Sequence, residues 1–230
     1  WWRTWWRVGP ALAERGFRVI AVDLRGHGGS PHISGVATAE TLALDIGATV
    51  DHLGVAPVDL LLGHSLGAAV CMELVHRRPQ ITRRLVLEDP PGQTRADDLE
   101  FQAGLEREVH AARTDPEAEV RRALAENPTW VEGDARQDVE GRARCDLEGI
   151  LASLRANTGV RATKLTATLD MPTLYLIADE RRSVLGAERP RLIRSLPARS
   201  DLVEFASGHV IHRDRFAAYV ASILRWLEAA

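Results

Sequence analysis

A serine stands between two glycines at the end of an apolar run. The segment from Leu60 to Gly67 reads Leu-Leu-Leu-Gly-His-Ser-Leu-Gly. A serine in this setting is predicted to lie on a sharp strand-to-helix turn with its hydroxyl exposed, and Gly63 and Gly67 are expected to avoid collisions with the neighbouring strand and helix. The helix that follows directs its first N–H groups at negative charge developing beside the serine. Ser65 is therefore a candidate nucleophile, and the N–H of Leu66 is a candidate oxyanion donor.

A histidine follows the last predicted strand and a glycine. Ser-Gly-His at 207–209 is placed so that a loop can lean back over the C-terminal edge of a parallel sheet toward the serine. Imidazole can take up the serine proton near neutral pH and return it to a leaving group. His209 is thus the candidate base. His212 is expected to cap or pack against the last helix, and His27 and His64 to form structural hydrogen bonds.

Strand-like and helix-like segments alternate on both sides of a long helical stretch. Periodicity, capping residues and glycine or proline stops predict these segments. The predicted helices are 8–15, 38–53, 66–78, 97–113, 116–126, 134–155, 188–195 and 213–228, and the predicted strands are 17–22, 58–62, 84–88, 173–178 and 201–205. This order predicts an α/β fold with a mostly parallel, doubly wound sheet and helices on both faces.

The character of the sequence changes at Pro90-Pro91-Gly92, after which no strand-like run appears until about residue 169. The sequence there is rich in Glu, Asp, Arg and Ala with helical spacing. We therefore expect three parts: residues 1–90 as the first part of a core domain, 91–169 as an inserted all-helical subdomain, and 170–230 as the second part of the core.

Composition excludes several classes of protein. The chain has 230 residues, 45% of them hydrophobic and 27% charged, and a net charge of -3, which is typical of one globular core. Its arginines are scattered among acidic residues, so nucleic acid is not expected as a partner. Cys71 and Cys145 are two isolated thiols, which favours a reducing compartment. No apolar run reaches the roughly 20 residues of a membrane span, and no leader is visible, so cytoplasmic location without membrane attachment is expected.

Together these motifs resemble the α/β-hydrolase superfamily over essentially the whole chain. The resemblance rests on Asp-Leu-Arg-Gly-His-Gly-Gly-Ser at 23–30, Gly-His-Ser-Leu-Gly at 63–67, the helical insertion and Ser-Gly-His at 207–209. It implies a serine nucleophile, a histidine base and a carboxylate in the chain order Ser, Asp or Glu, His. It also implies that the helical insertion forms a cap over the pocket.

The position of the acid departs from the commonest pattern of the family. The residue that matches the usual aspartate, after the strand at 173–178, is Arg181, which cannot accept a hydrogen bond from imidazole. Asp179 and Glu180 are close but mis-spaced. Asp89 follows the strand after the nucleophile helix, where haloalkane dehalogenases, some lipases and certain lactone hydrolases of the superfamily carry their acid. We prefer Asp89, with Asp179, Glu88 and Glu180 as alternatives; Asp89 before two prolines is also typical of a turn.

The second oxyanion donor is not evident. Family members usually take it from a His-Gly pair before the first helix, and no such pair precedes Val8. About three strands of family sequence are also missing from the front, so either the chain lacks an N-terminal piece or the protein is a degenerate member with an incomplete oxyanion hole. The start at Trp1, Trp2, Trp5 and Trp6 favours a missing piece or a junction where residues are missing. Loss of one such donor costs about 10² to 10³ in rate.

The expected function is hydrolysis of a small-molecule carboxylic ester or lactone through an acyl-enzyme. Trp130, Leu105 and Leu151 are candidate substrate-binding residues of the cap, or members of its core. No metal cluster, dinucleotide pattern or phosphate loop is present in the sequence, so no cofactor or metal is expected. Two alternatives stay open: a hydrolase-like protein that binds a small ligand without turnover, and a carbon–carbon bond hydrolase with the same three residues. The sequence does not specify an oligomeric state.

Overall fold

A computed structural model describes residues 1–92, 99–156 and 162–229 of the chain. In these residues the helices and strands are α1 (Val8–Ala13), α2 (Ala39–Leu53), β1 (Leu61–His64), α3 (Leu66–Arg77), β2 (Leu85–Glu88), α4 (Leu99–Thr114), α5 (Pro116–Glu126), α6 (Glu132–Ala143), α7 (Leu147–Ala156), α8 (Ala162–Thr166), β3 (Thr173–Ile177), α9 (Arg189–Arg194), β4 (Ser200–Glu204), α10 (Ile211–Asp214) and α11 (Phe216–Ala229). They fall into two compact units. The first comprises the described residues of Trp1–Ala37, Ala96–Ala156 and His212–Val220, and the second those of Thr38–Arg95, Asn157–Ile211 and Ala221–Ala230.

The second unit contains a four-stranded sheet in the order β1-β2-β3-β4, with every neighbouring pair parallel. All residues of β2 and β3 are buried. Strands of a parallel sheet that are covered on both faces read as continuous apolar runs, as Leu-Val-Leu in β2 and Thr-Leu-Tyr-Leu-Ile in β3 do. The predicted parallel α/β fold is confirmed, and all four strands end at the same rim of the sheet.

Helix α2 starts and stops where its capping residues require. Thr38 lies before the helix and its hydroxyl accepts from the N–H of Thr41, while the Thr41 hydroxyl accepts from the Thr38 N–H. Such reciprocal bonds satisfy N–H groups that have no partner within the helix. Gly54 ends α2 in the left-handed region with φ 62°, a conformation that glycine adopts without strain. Both ends agree with the predicted helix to within one residue.

The first unit joins the tryptophan-rich start of the chain to α6. The Trp1 indole N–H donates to the carbonyl of Gln137 at 3.0 Å. A Cβ at Gly141 would lie 2.8 Å from the Trp1 ring, and one at Gly133 would lie 2.5 Å from the Trp6 ring. Two glycines of α6 therefore leave room for two indole rings. This pairing explains how a helix with almost no apolar face is held in place by packing.

The predicted strand at residues 17–22 is wrong. The segment forms no ladder with another strand in the described part of the chain. Val19 is 40% exposed and Ile20 is 42% exposed. A strand needs a hydrogen-bonding neighbour as well as apolar residues, and the sequence pattern reports only the residues.

The single long helix predicted at 134–155 is also wrong, because the chain breaks between α6 and α7. Asp146 lies just before α7, where its carboxylate accepts from the N–H of Gly149 at 3.2 Å and from that of Ile33 at 2.7 Å. Its own N–H donates to the carbonyl of Gly26 at 2.8 Å. An aspartate that caps a new helix and binds a distant loop stabilises the break, because an unbroken helix would lose these bonds. The prediction that residues 91–169 form an inserted cap stays a prediction.

Candidate active site

Ser65 lies at the turn between β1 and α3 in a strained conformation. Its backbone has φ 52° and ψ -121°, and it is one of two non-glycine residues with positive φ in the described chain. Its N–H donates to the carbonyl of Glu88 on β2 at 3.0 Å, and its carbonyl accepts from Ala69 at 3.2 Å. Such strain persists only where the surroundings hold it, and it is concentrated at functional sites. Leu66 is the first residue of α3, so its N–H has no acceptor within the helix.

The two glycines that flank this serine play different parts. A Cβ at Gly63 would lie 2.4 Å from the backbone oxygen of Gly67, which is far inside van der Waals contact. A Cβ at Gly67 would meet no described atom within 4 Å. The prediction for Gly63 is confirmed, and the prediction that a side chain at Gly67 would collide is wrong. Here the close approach is that of the strand to the start of the helix, and only the strand glycine allows it.

Asp89 is the other non-glycine residue with positive φ, at 38°, and it follows β2 directly. Its side chain is fully buried. Oxygen Oδ1 accepts from the Ala178 N–H at 3.1 Å and from the Ser183 hydroxyl at 2.6 Å, while Oδ2 accepts from the Val184 N–H at 3.1 Å. His209 contacts Oδ2 through Nδ1 at 2.7 Å. The carboxylate therefore has four partners although water does not reach it.

These partners determine the charge of Asp89. Burial by itself raises the pKa of the carboxyl, but the hydrogen bonds from His209, Ser183 and Ala178 lower it more, so the pKa lies below its ordinary value. Asp89 is thus ionised at neutral pH and can only accept hydrogen bonds. It follows that Nδ1 of His209 donates, which leaves Nε2 of the neutral imidazole as an acceptor.

His209 also lies against the residue that precedes Ser65. The rings of His209 and His64 have centroids 4.4 Å apart. Nε2 of His64 lies 3.1 Å from the backbone carbonyl of His209, and a carbonyl can only accept, so His64 donates. The structural hydrogen bond expected for His64 is therefore present, and it holds the loop of His209 at the end of β1.

The alternative acids have other surroundings. Asp179 is exposed, and its carboxylate accepts from the Arg181 N–H at 3.0 Å in a local turn. Glu180 and Arg181 are exposed as well. Glu88 is fully buried on β2, directly before Asp89. Of the four carboxyl groups considered, Asp89 is the one with a hydrogen bond to His209 among the described contacts.

The remaining histidines of interest belong to the first unit. His27 bonds through Nδ1 to the carbonyl of Arg25 at 3.2 Å, and burial lowers the pKa of its imidazole. His212 is buried, contacts the Thr4 hydroxyl at 3.2 Å and packs against Trp5 with ring centroids 4.8 Å apart. The hydrogen bond expected for His27 is present, and His212 packs against Tyr219 of the last helix with ring centroids 6.0 Å apart, as the sequence predicts.

Trp130 is a buried residue of the first unit. Its indole N–H donates to the carboxylate of Asp214 at 2.8 Å, and the guanidinium of Arg213 lies 4.7 Å from its ring centre. A groove of about 490 Å³ in the same unit is lined by other residues, among them Val120 and Val139. These contacts explain the packing of Trp130, and its assignment to substrate binding stays a prediction, as do those of Leu105 and Leu151.

Cys71 does not compete with Ser65 as a nucleophile. Its side chain is buried within α3, and burial raises the pKa of the thiol to about 12. A thiol is reactive only as the thiolate, so Cys71 is inert near neutral pH.

Comparison with known proteins identifies the family. A family model described as the alpha/beta hydrolase fold matches residues 1–216. The chain belongs to the α/β-hydrolase family. This family of hydrolytic enzymes agrees with the resemblance seen in the sequence. Among the described residues of this α/β hydrolase, no helix has the length and apolar character needed to cross a membrane.

Individual relatives of the α/β hydrolase are distant in sequence. The sn-1-specific diacylglycerol lipase ABHD11 of Danio rerio is 26% identical over 235 residues, which cover 96% of this chain and 73% of that protein. A thermophilic esterase from Thermogutta terrifontis is 25% identical with a TM-score of 0.73, covering 99% of this chain and 85% of the esterase. The enol-lactonase from Burkholderia xenovorans LB400, at 21% identity and a TM-score of 0.75, covers 99% and 86% and shows a likeness in fold.

The residues that hold the Asp89 carboxylate were not evident from the sequence. Ala178, Ser183 and Val184 lie about 90 residues farther along the chain. Neither their types nor their spacing distinguishes them from an ordinary loop. Their role as partners of Asp89 can be recognised only from the structure, in which β2 and β3 are neighbouring strands.

Replacing Gly63 by alanine should destabilise the protein, and the same change at Gly67 should not. We expect Gly63→Ala to lower the free energy of unfolding by about 3 kcal/mol, since its methyl group would press on backbone. Gly67→Ala should leave stability unchanged or raise it by up to about 1 kcal/mol, because alanine favours the helix. Urea denaturation measures both. Equal losses in the two variants would contradict this account of the turn.

The lowered pKa of Asp89 predicts a contribution to stability that depends on pH. A carboxyl whose pKa is lower in the folded state than in the unfolded state stabilises the fold above its ordinary pKa, and this contribution is lost as the pH falls through the lowered value. As the pH falls below the ordinary pKa of a carboxyl group, Asp89→Asn should therefore lose less unfolding free energy than wild type, because the amide carries no charge to be neutralised. Urea denaturation at a series of pH values provides the test, and parallel curves would refute the prediction.

Proposed function

We propose that this α/β hydrolase cleaves a carboxylic ester or lactone through an acyl-enzyme formed on Ser65. The observation that carries the proposal is the 2.7 Å hydrogen bond between Asp89 and His209, made at the rim of the sheet where the strained Ser65 lies. Relatives named as a diacylglycerol lipase and an esterase support an ester as the substrate class. A lactone presents the same carbonyl chemistry in a ring.

The proposed roles follow from the hydrogen-bond donors and acceptors. His209 takes the Ser65 proton on Nε2, because Asp89 keeps the hydrogen of the neutral ring on Nδ1. The Ser65 oxygen then attacks the carbonyl carbon of the substrate. The negative charge that develops on the substrate's carbonyl oxygen faces the start of α3, where the Leu66 N–H can donate. The imidazolium returns its proton to the leaving alcohol.

Hydrolysis of the acyl-enzyme uses the same groups a second time. His209 accepts a proton from water, the resulting hydroxide attacks the Ser65 ester, and the proton passes back to the serine oxygen as the acid leaves. Asp89 stays ionised throughout and stabilises the imidazolium that forms in each half of the reaction.

Removing the Ser65 hydroxyl tests the enzymatic proposal. Wild type should hydrolyse a p-nitrophenyl ester, and Ser65→Ala should lower kcat by about 10³-fold or more, because no acyl-enzyme can form. A fluorophosphonate should label wild type at Ser65 and leave the variant unlabelled, as intact-mass spectrometry would detect. Equal hydrolysis rates would remove the enzyme proposal and favour a protein that binds a small ligand without turnover.

The acid is tested by a matched pair of variants. Asp89→Asn should reduce kcat by about 10²-fold or more, because the amide no longer holds the imidazole with Nδ1 protonated or stabilises its cationic form. Asp179→Asn changes an exposed carboxylate that is engaged in a local turn and should leave kcat within about twofold. Steady-state kinetics of both variants with one ester decides between the two positions. The opposite ranking would assign the acid to Asp179.

A further inference from the structure

The segment 178–185, which follows β3, is bound closely to the Asp89 carboxylate. Two of its backbone N–H groups and one hydroxyl point at the two carboxylate oxygens, at 3.1, 2.6 and 3.1 Å for Ala178, Ser183 and Val184. Ser183 supplies the shortest of these contacts. It is also the one donor of the three whose side chain, rather than backbone, makes the bond, so a single substitution removes it.

Ser183 is itself fixed in orientation. The Leu185 N–H donates to the Ser183 oxygen at 3.1 Å, so the single hydroxyl hydrogen of Ser183 is left to donate to Asp89. On the other side, the Gly92 N–H donates to the Val184 carbonyl at 3.2 Å, and a Cβ at Gly92 would lie 2.5 Å from the Leu185 oxygen. The loop after β2 and the loop after β3 are therefore fixed relative to each other beside the carboxylate.

We propose that Ser183 is a positioning residue for the Asp89–His209 pair. By holding Oδ1, its hydroxyl turns Oδ2 toward Nδ1 of His209 and keeps the carboxylate ionised. For its effect on turnover, this inference rests on the function proposed above.

The charges around the pair suit a neutral donor at this position. His209 is the titratable group that contacts Asp89, and His64 faces His209 from the end of β1. The guanidinium of Arg189 binds the carbonyl of Ala178 at 2.8 Å rather than the carboxylate. A hydroxyl fixes the carboxylate without adding a positive charge that would oppose the imidazolium formed during catalysis.

The test compares three variants with wild type. Ser183→Ala removes the hydroxyl, Ser183→Thr retains it, and Ser195→Ala removes a hydroxyl that donates to the Leu192 carbonyl within its own helical turn. Circular dichroism establishes that each variant is folded. The Asp89 carboxyl is then titrated by ¹³C NMR, with its resonance assigned from Asp89→Asn, and kcat is measured with a p-nitrophenyl ester.

In Ser183→Ala the pKa of Asp89 should rise toward its ordinary value, because one hydrogen bond to the charged form is lost. Its kcat should fall about tenfold, as expected for a hydrogen bond to a charged group. Ser183→Thr and Ser195→Ala should keep the wild-type pKa of Asp89 and stay within about twofold in kcat. Rescue by threonine separates positioning from a general loss of packing.

An unchanged pKa of Asp89 in folded Ser183→Ala, or a threonine variant as impaired as alanine, would overturn the inference. Should Ser183→Ala fail to fold, Ser183→Cys takes its place, because the thiol is similar in size and a weak donor; the same rise is expected, and its absence overturns the inference. If wild type hydrolyses no ester, the proposed function fails, while the NMR titration still decides the role of Ser183.

Discussion

An ionised carboxylate that water does not reach must be met by hydrogen-bond donors, and the end of β2 is organised around this requirement. Removing a charge from water costs several kcal/mol, and a hydrogen bond to a charged group returns about 1.5–3 kcal/mol. Asp89 has four such partners, one from the loop after β4 and three from the segment after β3. Few conformations of those loops place all of these donors at the Asp89 carboxylate. The buried charge therefore restricts the conformation of the loops at this rim of the sheet.

A backbone hydrogen bond connects the two strained residues of the second unit. Ser65 and Asp89 follow neighbouring parallel strands, and both have positive φ without being glycine. The Ser65 N–H is bound to the carbonyl of Glu88, the residue before Asp89. A displacement of the backbone at either residue would therefore also displace the backbone at the other. In the proposed mechanism this coupling keeps nucleophile and acid at a constant separation while the His209 imidazole gains and loses a proton.

The sequence predicted what depends on neighbours along the chain. The serine turn, the caps of α2 and the parallel strands β2 and β3 all follow from local patterns. Features that depend on distant neighbours were not accessible. Residues 17–22 have the composition of a strand but pair with no other strand in the described chain. The break before α7 depends on the hydrogen bond from the Ile33 N–H to the Asp146 carboxylate. The donors that keep Asp89 ionised come from residues that sequence patterns do not mark.

Strand order explains why the candidate acid can occupy β2 while the end of β3 carries donors. The loop after β4 brings His209 to the rim near β1, three strand spacings or about 14 Å away, and five extended residues reach about 17 Å. On its way this loop is tied to β3 through the Phe205 N–H and the carbonyl of Ile177 at 2.9 Å. The backbone after β3 directs the N–H groups of Ala178 and Val184 at Asp89, the residue that follows β2. An acid on β3 would need donors of its own from elsewhere, whereas an acid on β2 uses those that β3 already presents.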